Sequence, residues 1–140
     1  MIVYHDQQFL GEWLCDRIKL IPTPELRCIG RVRDGNLIGV VGYDAWNGSS
    51  CQMHYASNGE RWINREFLFH AFWFPFNNGY KVLIGFVPGN NKKAIKLNQH
   101  LGFSKLAEIP DAHPDGKLIL MTMSKDSCRW IKKGFPHGTI

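Results

Sequence analysis

The chain has 140 residues, 44% hydrophobic and 13% aromatic. That suits one domain with one sizeable core and excludes a disordered class. The formal net charge of +5 admits a polyanionic partner, either nucleic acid or the phosphates of a cofactor. No apolar run approaches the roughly 20 residues of a membrane span, and no basic segment precedes an apolar one at the N-terminus, so a cytoplasmic protein with no membrane partner is expected.

After a short apolar start, Phe9, Leu10, Trp13 and Leu14 recur at helical spacing, with Asp6 placed to cap that helix. Pro22 and Pro24 mark a loop. Residues 27–33 and 36–43 are rich in strand formers around Asp34-Gly35, a hairpin signal. Residues 44–50 read as a loop, 51–56 as a strand, and Asn58-Gly59 as a turn. From Arg61 the period becomes helical: Ile63, Phe67, Leu68, Ala71 and Phe72 share a face, with Pro75 and Asn77-Asn78-Gly79 ending the helix. Residues 81–87 form a continuous apolar strand. Pro88-Gly89-Asn90 turns the chain into a third helix over 92–100, which Gly102 suits as a C-terminal cap. Strands over 103–109 and 117–123 flank Asp115-Gly116. The tail over 131–140 is expected to be mobile. The four cysteines lack C-x-x-C spacing and the six histidines are isolated, so no metal is expected and the thiols are read as structural.

The order is β, α, β-hairpin, β, α, β, α, β, β, which implies an α/β fold. This order, with Asn91, Ala94, Leu97, Asn98, Leu101, Gly102 and Phe103 in the pattern N-x-x-A-x-x-L-N-x-x-L-G-F, resembles the GNAT superfamily of acyl-CoA N-acyltransferases, and residues 61–66, with 116–123 followed by Cys128-Arg129-Trp130, resemble its small bacterial and phage-type members. The likeness runs from about Asn36 to Trp130. It implies a mixed twisted central sheet with helices on both faces, splayed between strands 51–56 and 81–87. It further implies acetyl-CoA as co-substrate and an amine of unidentified nature as acceptor.

Physical chemistry indicates where such a ligand would lie. A helix N-terminus offers unpaired N–H groups and a partial positive charge to a pyrophosphate. The turn from Ser57 to Asn64 is the expected phosphate site, with Arg61 in a helical first turn, Trp62 available for stacking and Asn64 in a position where the resemblance implies glycine or alanine. A pantetheine arm can pair with a strand edge at Met53 and Tyr55, where a backbone N–H would polarise the thioester carbonyl. Asn91 and Ala94 would meet the same arm from the third helix, although Asn91 is also a favoured N-cap. Trp62 occupies a position where the family's phosphate loop carries glycine, and Asn98 replaces the tyrosine that many members use to protonate the departing thiolate.

His54 is the leading general base, because imidazole titrates near pH ~6.5 and an ammonium of pKa about 10.4 must lose a proton before it attacks. Asp44, Glu108 and His113 are weaker candidates. The departures motivate a second reading, a non-catalytic GNAT-fold module that binds CoA or a protein partner. Nucleic acid rests on charge alone and ranks last.

Overall fold

The computed structural model describes residues 1–132. Its elements are β1 (Ile2–Val3), α1 (Gln7–Ile18), β2 (Arg27–Arg33), β3 (Asn36–Asp44), β4 (Ser50–Ser57), α2 (Arg65–Asn77), β5 (Val82–Pro88), α3 (Lys92–Leu101), β6 (Ser104–His113) and β7 (Gly116–Ser124). The strands form one mixed sheet in the order β1-β2-β3-β4-β5-β7-β6. Only β4 and β5 pair in parallel; all other neighbours are antiparallel. β6 is the edge strand and stays largely exposed, so the sheet is less buried at that end than the strand–helix alternation suggests.

Alternation along the strands divides the core in two. Leu10, Leu14 and Cys15 of α1 pack with Cys28, Val40 and Ala56 on one face. Phe67, Leu68, Ala71, Phe72 and Phe76 of α2 and Leu101 of α3 pack with Val41, Tyr43, Cys51, Met53, Leu83 and Met121 on the other. Helices therefore cover both faces, as expected. Each fully buried Phe or Leu contributes about 1.5–3 kcal/mol, so the aromatic face of α2 anchors the domain. A bulge in the β2–β3 ladder leaves Ile38 unpaired between Leu37 and Gly39 and turns it into the α2-side core.

Helix boundaries follow their caps. Asp6 Oδ1 accepts from the Phe9 N–H at 3.2 Å, and Asn91 Oδ1 accepts from the Ala94 N–H at 3.1 Å. Gly102 closes α3 at φ 116, where a side chain is disfavoured. Two expectations for α2 are corrected. The helix begins at Arg65 with Asn64 as its N-cap, not at Arg61, because Asn64 Oδ1 accepts from the Phe67 N–H at 2.8 Å. It also runs through Pro75 to Asn77. Proline removes the bond to the carbonyl four residues back, and that carbonyl, of Ala71, instead accepts from the buried Tyr43 hydroxyl at 2.5 Å.

β3 extends to Asp44, which the sequence pattern places in a loop, and β4 runs one residue beyond the expected strand at each end. In the C-terminal segment, Ile131 packs against the core, while residues 133–140 lie outside the described residues. No helix among the described residues is long and apolar enough to cross a membrane.

Candidate active site

β4 and β5 pair only through Ser50↔Val82, Cys51↔Leu83 and Gln52↔Ile84. Beyond Gln52 they diverge, so the β5-facing edge of β4 from Met53 onward has no strand partner. An unpaired strand edge is a row of hydrogen-bonding groups awaiting an extended ligand. The divergence opens a groove of about 430 Å³ lined by Met53, His54 and Tyr55 from β4, Gly85 and Pro88 from β5, and Asn91, Ala94 and Asn98. The C-terminal end of α1 closes its other side. A contiguous hollow of about 290 Å³ continues over Tyr55, Ser57, Gly59, Glu60, Trp62, Asn91, Lys93 and Ala94. A larger hollow of about 630 Å³ between α1 and the β2–β3 hairpin holds Asp6 and Glu60. Asp6 caps α1 and Glu60 accepts from Asn58, and His5 and Arg17 line the same hollow.

Two polar pairs flank β4 at the groove. His54 projects towards the α1 face and its Nε2 lies 2.7 Å from Asp44 Oδ1. Asp44 is 8% exposed, so this carboxylate is a buried group with a single histidine partner. The β3–β4 register explains the meeting: Gly42 faces His54 and Asp44 faces Gln52, which puts Asp44 and His54 diagonally on one face. On the opposite face, the Tyr55 hydroxyl donates to Asn98 Oδ1 at 2.6 Å. Burial pushes the Tyr55 phenol up to about 12, so it stays protonated at neutral pH. The Gly85 Cα lies beneath Asn98, and even an added Cβ would sit 3.8 Å from its Nδ2.

The residues expected to hold the ligand fall into three groups. Met53, Tyr55, Asn91 and Ala94 line the groove together, and Ser57 joins them in the hollow. Asn64 spends its side-chain oxygen on capping α2. Trp62 is 8% exposed and packs in the core, tilted against Tyr55 at 5.7 Å and edge-on to Phe67 at 5.8 Å. Its ring covers Gly39, where a Cβ would come within 2.5 Å of it. Only part of Trp62 meets the hollow, so ring stacking on a ligand is not its main contact. Arg61 does not stand in the first turn of α2: it lies four residues before that helix, is exposed, and lines neither the groove nor the hollow beside it. The dipole argument for an anion beside it therefore lapses.

Sequence reasoning missed the side chains that shape this loop. Arg31 donates to the Trp62 carbonyl at 2.6 Å and Arg33 to the Arg61 carbonyl at 2.8 Å. Two arginines of β2 thus fix the backbone between β4 and α2. It also missed the Tyr55 hydroxyl, since only the backbone there has a place in the expected pairing. The other titratable candidates lie elsewhere. Glu108 sits on exposed β6, where hydrogen bonds from Lys105 and Lys117 hold its carboxyl down at about 2. His113 faces Asp115 across the β6–β7 turn. All four thiols are buried, and burial pushes Cys28 and Cys51 up to about 12, far from a reactive thiolate.

No family model and no curated protein matches the chain. Solved structures do. An IAA acetyltransferase of Bacillus cereus superposes with TM-score 0.71 at 15% identity, covering 89% of this chain and 98% of that one. A spermidine N-acetyltransferase of Vibrio cholerae, in complex with CoA and spermine, gives 0.70 at 13%, covering 91% and 96%. The yncA protein of Salmonella typhimurium, with its cofactor acetyl-CoA, gives 0.70 at 12%, covering 89% and 92%. The chain has the GNAT fold, the fold of these acetyltransferases.

Proposed function

We propose that the chain is an acetyl-CoA-dependent N-acetyltransferase working by direct attack of an amine. The observation that carries this reading is the groove between β4 and β5, which places an unpaired strand edge, a carboxylate-held histidine and a protonated tyrosine around one channel. The CoA-bound neighbours with this fold support the choice of co-substrate.

The bound thioester supplies the acetyl group. Around it the chain's own residues divide the work. The free edge of β4 from Met53 to Tyr55 pairs with the amide-rich arm and aims a backbone N–H at the carbonyl oxygen. Asn91 Oδ1 is committed to its cap, which leaves its amide N–H groups for the ligand. Lys93, at the mouth of the hollow, attracts phosphate. His54 takes the proton of the incoming ammonium, and the carboxylate of Asp44 orients its ring. As the N–C bond forms and the C–S bond breaks, the sulfur leaves with the electron pair, and the second proton shed by the new amide nitrogen passes through water to the thiolate, which leaves as free thiol. Tyr55 donates a hydrogen bond to it. A CoA thiol resembles cysteine, with a pKa of about 8.5, so the more basic phenol keeps its proton and acts as a donor. Asn98 positions Tyr55; turned over, its amide can donate to the phenol oxygen and free the O–H for sulfur.

Calorimetry with acetyl-CoA tests binding, and release of free thiol over a panel of amines tests transfer. Binding without any thiol release would favour the non-catalytic module instead.

A further inference from the structure

We propose that the acceptor is an amine that also carries a carboxylate, on an apolar frame of the amino-acid type, and that Arg17 and Lys19 hold that carboxylate. This rests on the acetyl-transfer reading of the groove. The acceptor side of the groove is the end of α1, where Arg17, Ile18, Lys19 and Leu20 line the opening with Met53, His54 and Tyr55; Arg17 and Lys19 are exposed, and Arg17 also lines the larger hollow on the Trp13 side of α1. The groove's charged lining is cationic. No Asp or Glu lines it, and the carboxylate nearest in the sheet, Asp44, is buried and bound to His54.

Neither cation is neutralised among the described residues: Arg17 and Lys19 make no ion pair there. Arg17 is nonetheless held in place: its guanidinium lies 3.5 Å from the centroid of the Trp13 ring and donates to the Trp13 carbonyl at 3.2 Å. A stacked, fixed guanidinium keeps its remaining N–H groups free for a bidentate carboxylate. Lys19 is the C-cap of α1 in left-handed backbone, φ 55, a position that glycine or asparagine fills more easily. Its aliphatic stem and the side chains of Ile18, Leu20, Phe86 and Pro88 make the rest of this wall apolar, and Phe86 is 42% exposed.

Charge then sorts the amines. A polyamine brings further positive charges against Arg17 and Lys19, with no carboxylate in the groove to receive them. An amino acid brings one carboxylate for the cations, one amine for His54 and a side chain for Leu20 and Phe86.

The test has two arms on the full chain. In the first, thiol release from acetyl-CoA is compared for leucine, leucinamide and spermidine. The expected order is leucine above leucinamide by at least ~10-fold in kcat/KM, with spermidine lowest. In the second, calorimetry compares N-acetyl-leucine with N-acetyl-leucinamide on the CoA-loaded protein, which needs no turnover. The acid is expected to bind at least ~10-fold more tightly, and Arg17→Glu with Lys19→Glu is expected to abolish that preference. The milder Arg17→Gln with Lys19→Gln is expected to halve its logarithm or more, which guards against misfolding of the reversed variant. A binding preference without turnover upholds the carboxylate site and overturns the acetyl-transfer reading. Equal or absent binding of the two N-acetyl compounds, or a preference for spermidine, overturns the carboxylate site.

Discussion

Two polar pairs stand on consecutive residues of β4, and they are built in opposite ways. His54–Asp44 is local: its members are 10 residues apart and meet because one antiparallel hairpin sets their register. Tyr55–Asn98 is distant: its members are 43 residues apart and meet only when α3 packs on the sheet. His54 faces α1, while Tyr55 packs against the core beneath α2 and α3. A strand delivers successive side chains to opposite faces. In an intact sheet those faces never communicate. Where β4 leaves β5, both open onto one groove, and the proposed reaction uses one as proton acceptor and the other as hydrogen-bond donor. Their separation keeps them from pairing with each other.

The sharpest break in this comparison comes from removing the acceptor. His54→Ala should lower kcat by ~10²-fold or more with acetyl-CoA affinity nearly intact, the lower end of what a positioned base contributes. A silent His54→Ala in steady-state kinetics would transfer the proton to water or another group. Tyr55→Phe should cost about 10-fold or more in kcat, the lower end of the roughly 1.5–3 kcal/mol that a hydrogen bond to a charged group contributes. Its effect on acetyl-CoA affinity should be under about 3-fold. Asn98→Ala should cost only a few-fold, because it positions the donor without touching the sulfur.

The pH response separates the pairs further. Burial disfavours the Tyr55 phenolate and raises its pKa to about 12, above the usual value near 10. A raised acidic group stays neutral longer in the folded state. Its contribution to stability is therefore complete below about pH 10 and is lost as pH climbs towards 12. Turnover should show no alkaline fall from Tyr55 below that range. The measurement is a rate–pH profile of the wild type beside Tyr55→Phe; a fall near pH 9 present only in the wild type would contradict the buried, protonated phenol.

The two pairs also differ in how far the sequence revealed them. The splay was legible through the family resemblance, which the Asn91-to-Phe103 pattern carries, with 51–56 and 81–87 reading as strands around a helical crossover. His54 was legible as a titratable residue on the first of those strands. Its partner was visible only as a residue type. Asp44 sat at a strand end that reads as a loop, and pairing register is not written in local pattern. The Tyr55–Asn98 contact depends on how a helix lies on a sheet, so the absence of a tyrosine at 98 suggested a missing donor, and the Tyr55 hydroxyl that meets Asn98 from the strand beneath stayed out of sight. The α2 start was misread by four residues because Ile63 continues the apolar spacing, while the Asn64 cap decides the boundary.

The smallest effect expected belongs to Arg61, and it tests whether the loop acts through its backbone. The segment before α2 is tied to β2 through carbonyls: Arg33 donates to that of Arg61 and Arg31 to that of Trp62. Both carbonyls survive Arg61→Ala, as does the Asn64 cap. The Arg61 side chain is exposed and lines neither hollow, so its charge acts on a bound phosphate only through solvent, where screening over about 8–10 Å weakens it at physiological salt. Acetyl-CoA affinity should therefore change by less than about 2-fold, with the salt dependence of binding unaltered. Arg31→Ala should do more, because it releases the Trp62 carbonyl and with it the lid over Gly39. A 10-fold loss in Arg61→Ala, recovered by Arg61→Lys, would show that the loop closes on its ligand and carries this side chain to the phosphates.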